Sequence, residues 1–217
     1  MKYVSLNHNS SPTSFKKAVI NGLAPDKGLY FPEKKINLSK DFINSIKDID
    51  DIEICYEVIK EYIGDEIPKN KLIKIINDTV SFRIPLKKIE RSIYSLELFH
   101  GPTLAFKDIG AKFMASCLDY FKDSYTSKKI TVLVATSGDT GGAVANGFSD
   151  TSDIDVCILY PKGKISEVQK KQITTNGSYV NAIEVEGDFD LCQSMVKKAF
   201  NDEQINRKIA LTSANSI

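Results

Sequence analysis

Four short runs rich in Val, Ile and Leu, at 130–135, 154–160, 180–185 and 209–212, constrain this chain more than any other feature. A strand that needs apolar residues on consecutive positions is buried on both faces, which is the situation of strands in a parallel sheet. Between the runs lie stretches of helical periodicity at 141–148, 165–174 and 189–200. Strand, helix, strand, helix predicts an α/β three-layer domain built on a parallel sheet, and 42% hydrophobic content over 217 residues is ample for its core. In such sheets ligands collect beyond the carboxyl ends of the strands.

Two stretches belong to that edge. Tyr94, Leu96 and Leu98 alternate with Ser95, Glu97 and Phe99 as a short strand, which Gly101-Pro102 stops. Ile109, Phe113, Met114, Leu118, Phe121 and Tyr125 then recur at helical spacing, placing Lys107 and Asp108 on the first turn of a long helix. A helix start suits the aspartate and disfavours an ammonium, whereas imine chemistry needs the neutral amine. Most lysines are solvated surface residues; here the preceding Leu104, Ala105 and Phe106 are apolar, which points to a reactive amine.

The second stretch is Thr136-Ser137-Gly138-Asp139-Thr140-Gly141-Gly142, directly after the strand at 130–135 and directly before a helix. It reads as an anion-binding loop. The glycines allow close backbone approach, amides of the helix start point outward, and the hydroxyls of Ser137 and Thr140 add donors for a carboxylate or phosphate. A purely structural turn is the competing reading. The loop is neither a Walker loop nor a Gly-x-Gly-x-x-Gly dinucleotide site. Further along, Lys162 and Lys164 follow a strand end at Tyr160-Pro161, Asp188 is placed to cap a helix, and Ser213-Ala214-Asn215-Ser216-Ile217 bring small polar residues to the ligand edge.

Residues 1–90 differ in pattern from 91–217 and read as a small, mainly helical region. Ser11 and Pro12 open a helix with the stripe Phe15, Val19 and Ile20, and 28–32 is a turn with a brief extended piece. Ser39 caps a second helix carrying Phe42, Ile43 and Ile46. A third runs over about 52–63, with Ile54, Val58 and Ile59 on one face, and stops at Gly64. Pro68 opens a fourth with Leu72, Ile75 and Ile76 buried, and 81–85 is extended. No acid, base and nucleophile cluster here, so the region is expected to be a packing or lid module.

Twenty-nine basic against 28 acidic residues leave a net charge of +1, which gives no field to recruit nucleic acid or an anionic membrane. No apolar run approaches the roughly 20 residues of a membrane helix, and the first five residues lack a signal-peptide core, so a cytoplasmic protein is expected. Cys55, Cys117, Cys157 and Cys192 form no Cys-x-x-Cys pair, and His8 and His100 are the only histidines. This argues against a zinc or thiol redox centre. Cys117, Cys157 and Cys192 are better read as small buried hydrophobes.

His100-Gly101-Pro102-Thr103-Leu104-Ala105-Phe106-Lys107-Asp108, Ala135-Thr136-Ser137-Gly138-Asp139-Thr140-Gly141, Leu159-Tyr160-Pro161-Lys162-Gly163-Lys164-Ile165-Ser166 and Ser213-Ala214-Asn215-Ser216-Ile217 closely resemble, in order, the motifs of the threonine synthase family. Gly28-Leu29-Tyr30-Phe31-Pro32 and Ile63-Gly64-Asp65-Glu66-Ile67-Pro68 resemble that family's N-terminal region. The resemblance implies a pyridoxal 5'-phosphate enzyme of fold type II, a carbon-oxygen lyase that converts the small molecule O-phospho-L-homoserine and water to L-threonine and phosphate, the last step of threonine biosynthesis. It implies that Lys107 binds the cofactor covalently and moves protons at the substrate's Cα and Cβ. It also implies that Ser137, Gly138 and Thr140 hold the substrate carboxylate and that Asp139, where many relatives have Asn, lies near the cofactor ring. Lys162, Asn215 and Ser213 fall to the substrate side.

The family continues for about as many residues again, bringing the cofactor-phosphate loop and the residue facing the pyridine nitrogen. The 217 residues alone are therefore expected to bind cofactor weakly and not to turn over. The alternatives are a phospho-lyase giving 2-oxobutyrate, a non-catalytic paralogue acting as an interaction module, and an unrelated phosphate-binding α/β protein. Oligomeric state has no signature in the sequence.

Overall fold

The computed structural model describes residues 1–124 and 128–214. The helical position Tyr125 and the candidate Asn215 lie outside the described residues. The chain divides into two compact units, Met1–Asp78 and a second from Thr79 onward.

In the first unit β1 (Tyr3–Ser5) pairs antiparallel with β2 (Tyr30–Pro32). Helix α1 (Phe15–Asn21) starts later than its Ser-Pro signal suggests. The Thr13 amide donates to the Tyr3 carbonyl at 2.8 Å and the Tyr3 amide to the Thr13 carbonyl at 2.9 Å, so the chain is still extended there. Ser14 takes over as cap, and the Glu66 carboxylate accepts from the Phe15 and Lys16 amides at 2.8 and 3.1 Å. Helix α2 (Lys40–Ser45) is capped by Ser39, α3 (Asp51–Ile63) by Asp50, and α4 (Lys69–Thr79) follows Pro68. Gly64 ends α3 at φ 66°, a conformation that glycine adopts without a Cβ penalty.

Phe15, Val19, Ile20, Leu72, Ile75 and Ile76 are buried as expected. The stripe of α2 is not: Ile43 is 53% exposed, because a helix under two turns long lies along the surface here. Ile54, Val58 and Ile59 of α3 are half-buried, and Ile63 alone on that helix is buried.

Asp26 ties this unit's loops together. Its carboxylate accepts from the Ser5 hydroxyl at 2.6 Å, the Asn9 amide at 2.8 Å and the Gly28 amide at 3.1 Å. These bonds, the Ser5 hydroxyl foremost, lower its pKa to about 2. The stabilisation is complete above the ordinary carboxylate pKa of about 4 and is lost as pH falls toward the folded value. Asp26→Asn is therefore expected to flatten the pH dependence of the urea midpoint between about pH 4 and pH 2; an unchanged slope would show that the acid sensitivity lies elsewhere.

The second unit opens with a hairpin, β3 (Leu86–Glu90) against β4 (Ile93–Leu96). Periodicity alone assigns residues up to 90 to the helical region and a single strand to 94–99. The pairing moves β3 into the second unit, and no Asn-Gly dipeptide marks the turn, where Arg91 sits at φ 35°. Leu96 pairs with Leu86, and Pro85 before it has no amide to continue the ladder, so β4 stops there.

Helix α5 (Lys107–Phe121) leads into an all-parallel sheet of order β7-β6-β5-β8. Its members are β5 (Ile130–Ala135), β6 (Ile154–Pro161), β7 (Val180–Val185) and β8 (Ala210–Thr212). Helices α6 (Asp139–Gly147), α7 (Glu167–Thr174), α8 (Phe189–Asn201) and α9 (Glu203–Lys208) complete the unit. Asp188 caps α8 as expected; α9, capped by Asp202, was not foreseen.

Every residue of β5 is buried, but β7 exposes Asn181, Ile183 and Glu184, so burial on both faces holds for the central strands and not for this edge. Leu133, Ala135, Leu159 and Val185 pack with Cys192 and Phe189 of α8 on one face. The alternate residues Val132, Val134 and Ile158, fully buried, point to the other. Burial raises the thiol pKa of Cys117, Cys157 and Cys192, in keeping with packing roles. No helix among the described residues is long and apolar enough to cross a membrane.

Candidate active site

The turn before α5 is held by one carboxylate. Asp108, 4% exposed, accepts from the Thr103 amide at 2.9 Å and, at shorter range, from the Thr103 hydroxyl. Leu104 donates its amide to the Gly101 carbonyl at 3.1 Å and sits at φ 60°. A Cβ on Gly101 would stand 2.5 Å from Asp108 Oδ2 and 2.7 Å from Phe82 Cε1, so only glycine lets this carboxylate reach Thr103.

Lys107 is the first residue of α5. It is half-buried, with Nζ 4.7 Å from the centre of the Phe106 ring. The apolar surroundings expected for it are only partly inside: Ala105 is buried, but Leu104 and Phe106 are 73% and 61% exposed. His100 turns away to Glu97, at 2.7 Å.

The loop after β5 is organised by Thr136, 1% exposed, whose Oγ1 accepts from the Gly138 amide at 3.0 Å and the Gly141 amide at 2.8 Å. Those two amides therefore point inward, to Thr136. The Gly142 amide donates to the Gly138 carbonyl at 3.2 Å. The outward set is the amides of Asp139 and Thr140, in the first turn of α6 where no carbonyl lies one turn back, with the hydroxyls of exposed Ser137 and half-buried Thr140.

The glycines leave room for side chains packed against the loop. A Cβ on Gly138, which sits at φ 140°, would overlap the Gln169 amide; one on Gly141 would meet Thr136 Cγ2 at 2.6 Å and Ile173 Cδ1 at 2.9 Å; one on Gly142 would meet Gln172 Oε1 at 3.0 Å. Gln169, Gln172 and Ile173 belong to α7, and Thr136 to the loop itself.

Helix α7 joins the two stretches. Gln172 Nε2 donates to the Thr103 carbonyl at 3.1 Å while its other amide atom lies against Gly142, so one side chain spans from the lysine turn to the loop. One turn earlier Gln169 Nε2 donates to Asp139 Oδ1 at 2.8 Å. Thr103, Thr136, Gln169 and Gln172 were all missed from sequence; the only available signal was the pair of amide side chains spaced three apart on one helix face.

Lys162 follows β6 and is ion-paired with Glu186. Nearby, Lys170 bonds Glu184 at 2.9 Å and thereby holds that carboxyl below the usual range. Ser213, buried, follows β8 at the same sheet edge as the loop. Lys107 and the loop are thus brought together through α7, Lys162 lies at the neighbouring strand end, and Asn215 is outside the described residues.

Residues 80–215 match the family of pyridoxal-phosphate dependent enzymes, and residues 2–80 match the threonine synthase N terminus. The chain is 43% identical over 217 residues to threonine synthase of Haemophilus influenzae and 41% identical over 217 residues to that of Escherichia coli, in each case across 100% of this chain and 50% of the relative. Among solved structures, Escherichia coli threonine synthase superposes with a TM-score of 0.89 at 40% identity, covering 99% of this chain and 50% of that one. A threonine synthase of Brucella melitensis with pyridoxal phosphate bound gives 0.90 at 36% identity, covering 100% and 48%. The chain spans about half the length of the curated relatives it matches.

The donor set fits that cofactor. Lys107 offers a primary amine for its aldehyde. With both matched segments in sequence and the lysine turn and loop held to one helix, the chain belongs to the pyridoxal-phosphate-dependent enzymes and corresponds to the N-terminal half of threonine synthases.

Proposed function

We propose that this chain supplies the lysine-bearing half of a threonine synthase active site, for conversion of O-phospho-L-homoserine and water to L-threonine and phosphate. The observation that carries the proposal is Gln172, which ties the turn of Lys107 to the loop of Ser137 and Thr140. When bound, pyridoxal phosphate supplies an electron sink for the carbanion left as the substrate's Cα loses its proton.

The residues divide the remaining work. Lys107 would hold the cofactor through Nζ and, when its amine is free, would move protons at the substrate's Cα and Cβ. Ser137 and Thr140, with the amides of Asp139 and Thr140, take the substrate carboxylate. Gly138 shapes that loop, while its own amide remains on Thr136. Asp139 faces the cofactor ring. Lys162, ion-paired with Glu186, and Asn215 serve the substrate side. Residues 1–90 form the packing or lid module, and the enzyme works in the cytoplasm.

The test is to give the natural-length protein O-phospho-L-homoserine and pyridoxal phosphate. Threonine and phosphate in equal amounts are expected. Accumulation of 2-oxobutyrate would reassign it as a phospho-lyase, and the absence of both products would make it a non-catalytic module.

A further inference from the structure

Gln169 makes three hydrogen bonds, two of them through its side chain. Its backbone amide donates to Ser166 Oγ at 3.2 Å, and its Oε1 accepts from the Ser166 amide at 2.9 Å, closing the capping box at the start of α7. That second bond fixes which way the side-chain amide points. With Oε1 committed to an N–H, the opposite corner presents only Nε2, a donor, and Asp139 Oδ1 lies 2.8 Å from it. Gly138, next to Asp139, leaves the space that the Gln169 amide fills.

We propose that Gln169 is a positioning residue: it reads the start of α7 with one end of its amide and sets the Asp139 carboxylate toward the cofactor with the other. The inference rests on the reading of Asp139 as cofactor-facing. It differs from a capping role in one respect, because the cap uses Ser166 and Gln169 Oε1, whereas positioning depends on the donor and acceptor pattern between side chains 169 and 139. Asp139→Asn retains a carbonyl oxygen for Gln169 Nε2. Gln169→Glu keeps the Ser166 bond and offers Asp139 a second carboxylate, a repulsion relieved when Asp139→Asn is added and its amide supplies a donor.

The experiment uses the natural-length protein and the variants Ser166→Ala, Gln169→Ala, Gln169→Glu, Asp139→Asn and the double variant Gln169→Glu/Asp139→Asn. Pyridoxal phosphate affinity is read from the absorbance of the bound cofactor, and the urea midpoint is followed from pH 4 to pH 8. Gln169→Ala is expected to weaken affinity on the order of tenfold, the value of one lost bond to a charged group. Ser166→Ala should lower the urea midpoint and leave affinity unchanged.

Gln169→Glu is expected to lower both affinity and midpoint at neutral pH. Its midpoint should recover as pH falls, since facing carboxylates have raised pKa values and the penalty appears as pH rises through them. The double variant should restore the midpoint and bind the cofactor as Asp139→Asn alone does. Equal affinities for the parent, Gln169→Ala and Gln169→Glu would overturn the positioning role while leaving the enzyme reading intact. A parent protein that binds no pyridoxal phosphate would overturn the enzyme reading and the inference with it.

Discussion

Lys107→Ala is expected to remove the visible absorbance that pyridoxal phosphate acquires on covalent attachment to the natural-length protein. Threonine formation should fall by at least the 10²–10⁴-fold, in order of magnitude, that a positioned proton-transfer group contributes. The physical reason is local. Lys107 stands at the first position of α5, half-buried, at the end of a turn held by the bonds between Asp108 and Thr103. No other lysine stands on that turn, so a neighbouring amine has no short route to the same place. Borohydride reduction followed by peptide mass analysis gives the decisive readout: the parent should carry the reduced cofactor on the peptide containing Lys107, and the variant should carry none. An adduct of equal yield on another lysine of the variant would remove Lys107 from the chemistry. Partial return of activity with a small added primary amine would separate loss of the amine from loss of the fold.

The parts legible in the sequence were those fixed by local periodicity and caps. The strands at 130–135 and 154–160 and the helix starting at Lys107 declare themselves because their burial pattern repeats along the chain. Caps at Ser39 and Asp188 work the same way, one side chain reaching an amide three residues on. What was not legible depended on partners distant in sequence. Ser11-Pro12 is a sound start signal, but the antiparallel bridge from Thr13 to Tyr3 holds the chain extended until Ser14. The strand Leu86–Glu90 carries no turn dipeptide and is recognised only by its partner.

The site shows the same division. Lys107 and the loop could be read from residue type and position, whereas the reason for three glycines could not. Close backbone approach to an anion and close approach of a neighbouring helix demand the same residue, and the space that a Cβ would need is taken here by Gln169, Gln172 and Ile173 of α7 and by Thr136. Those side chains are ordinary members of an amphipathic pattern until their partners, 30 and 69 residues away, are known.

The largest effect on stability within the site is expected at Asp108 rather than at the lysine beside it. Asp108→Ala should cost about 3 kcal/mol, because it removes two bonds to a buried carboxylate and leaves the Thr103 amide buried without an acceptor. Asp108→Asn retains one acceptor oxygen for that amide, and the Thr103 hydroxyl can turn to accept from the new amide group, so a loss of about 1 kcal/mol is expected. Thr103→Ala removes the hydroxyl bond alone. In the double variant with Asp108→Ala the losses should fall short of additive, since both remove the same interaction.

Urea midpoints of the four proteins measure the set, and the consequence for chemistry follows from the same geometry. Thr103 also accepts from Gln172, so freeing it from Asp108 loosens the lysine turn from α7. Asp108→Ala should therefore slow covalent attachment of pyridoxal phosphate even at temperatures where the variant remains folded. If its midpoint falls by less than that of Asp108→Asn, or if attachment keeps its parental rate, then the carboxylate does not hold the turn, and the position of Lys107 must be set by the packing of α5 alone.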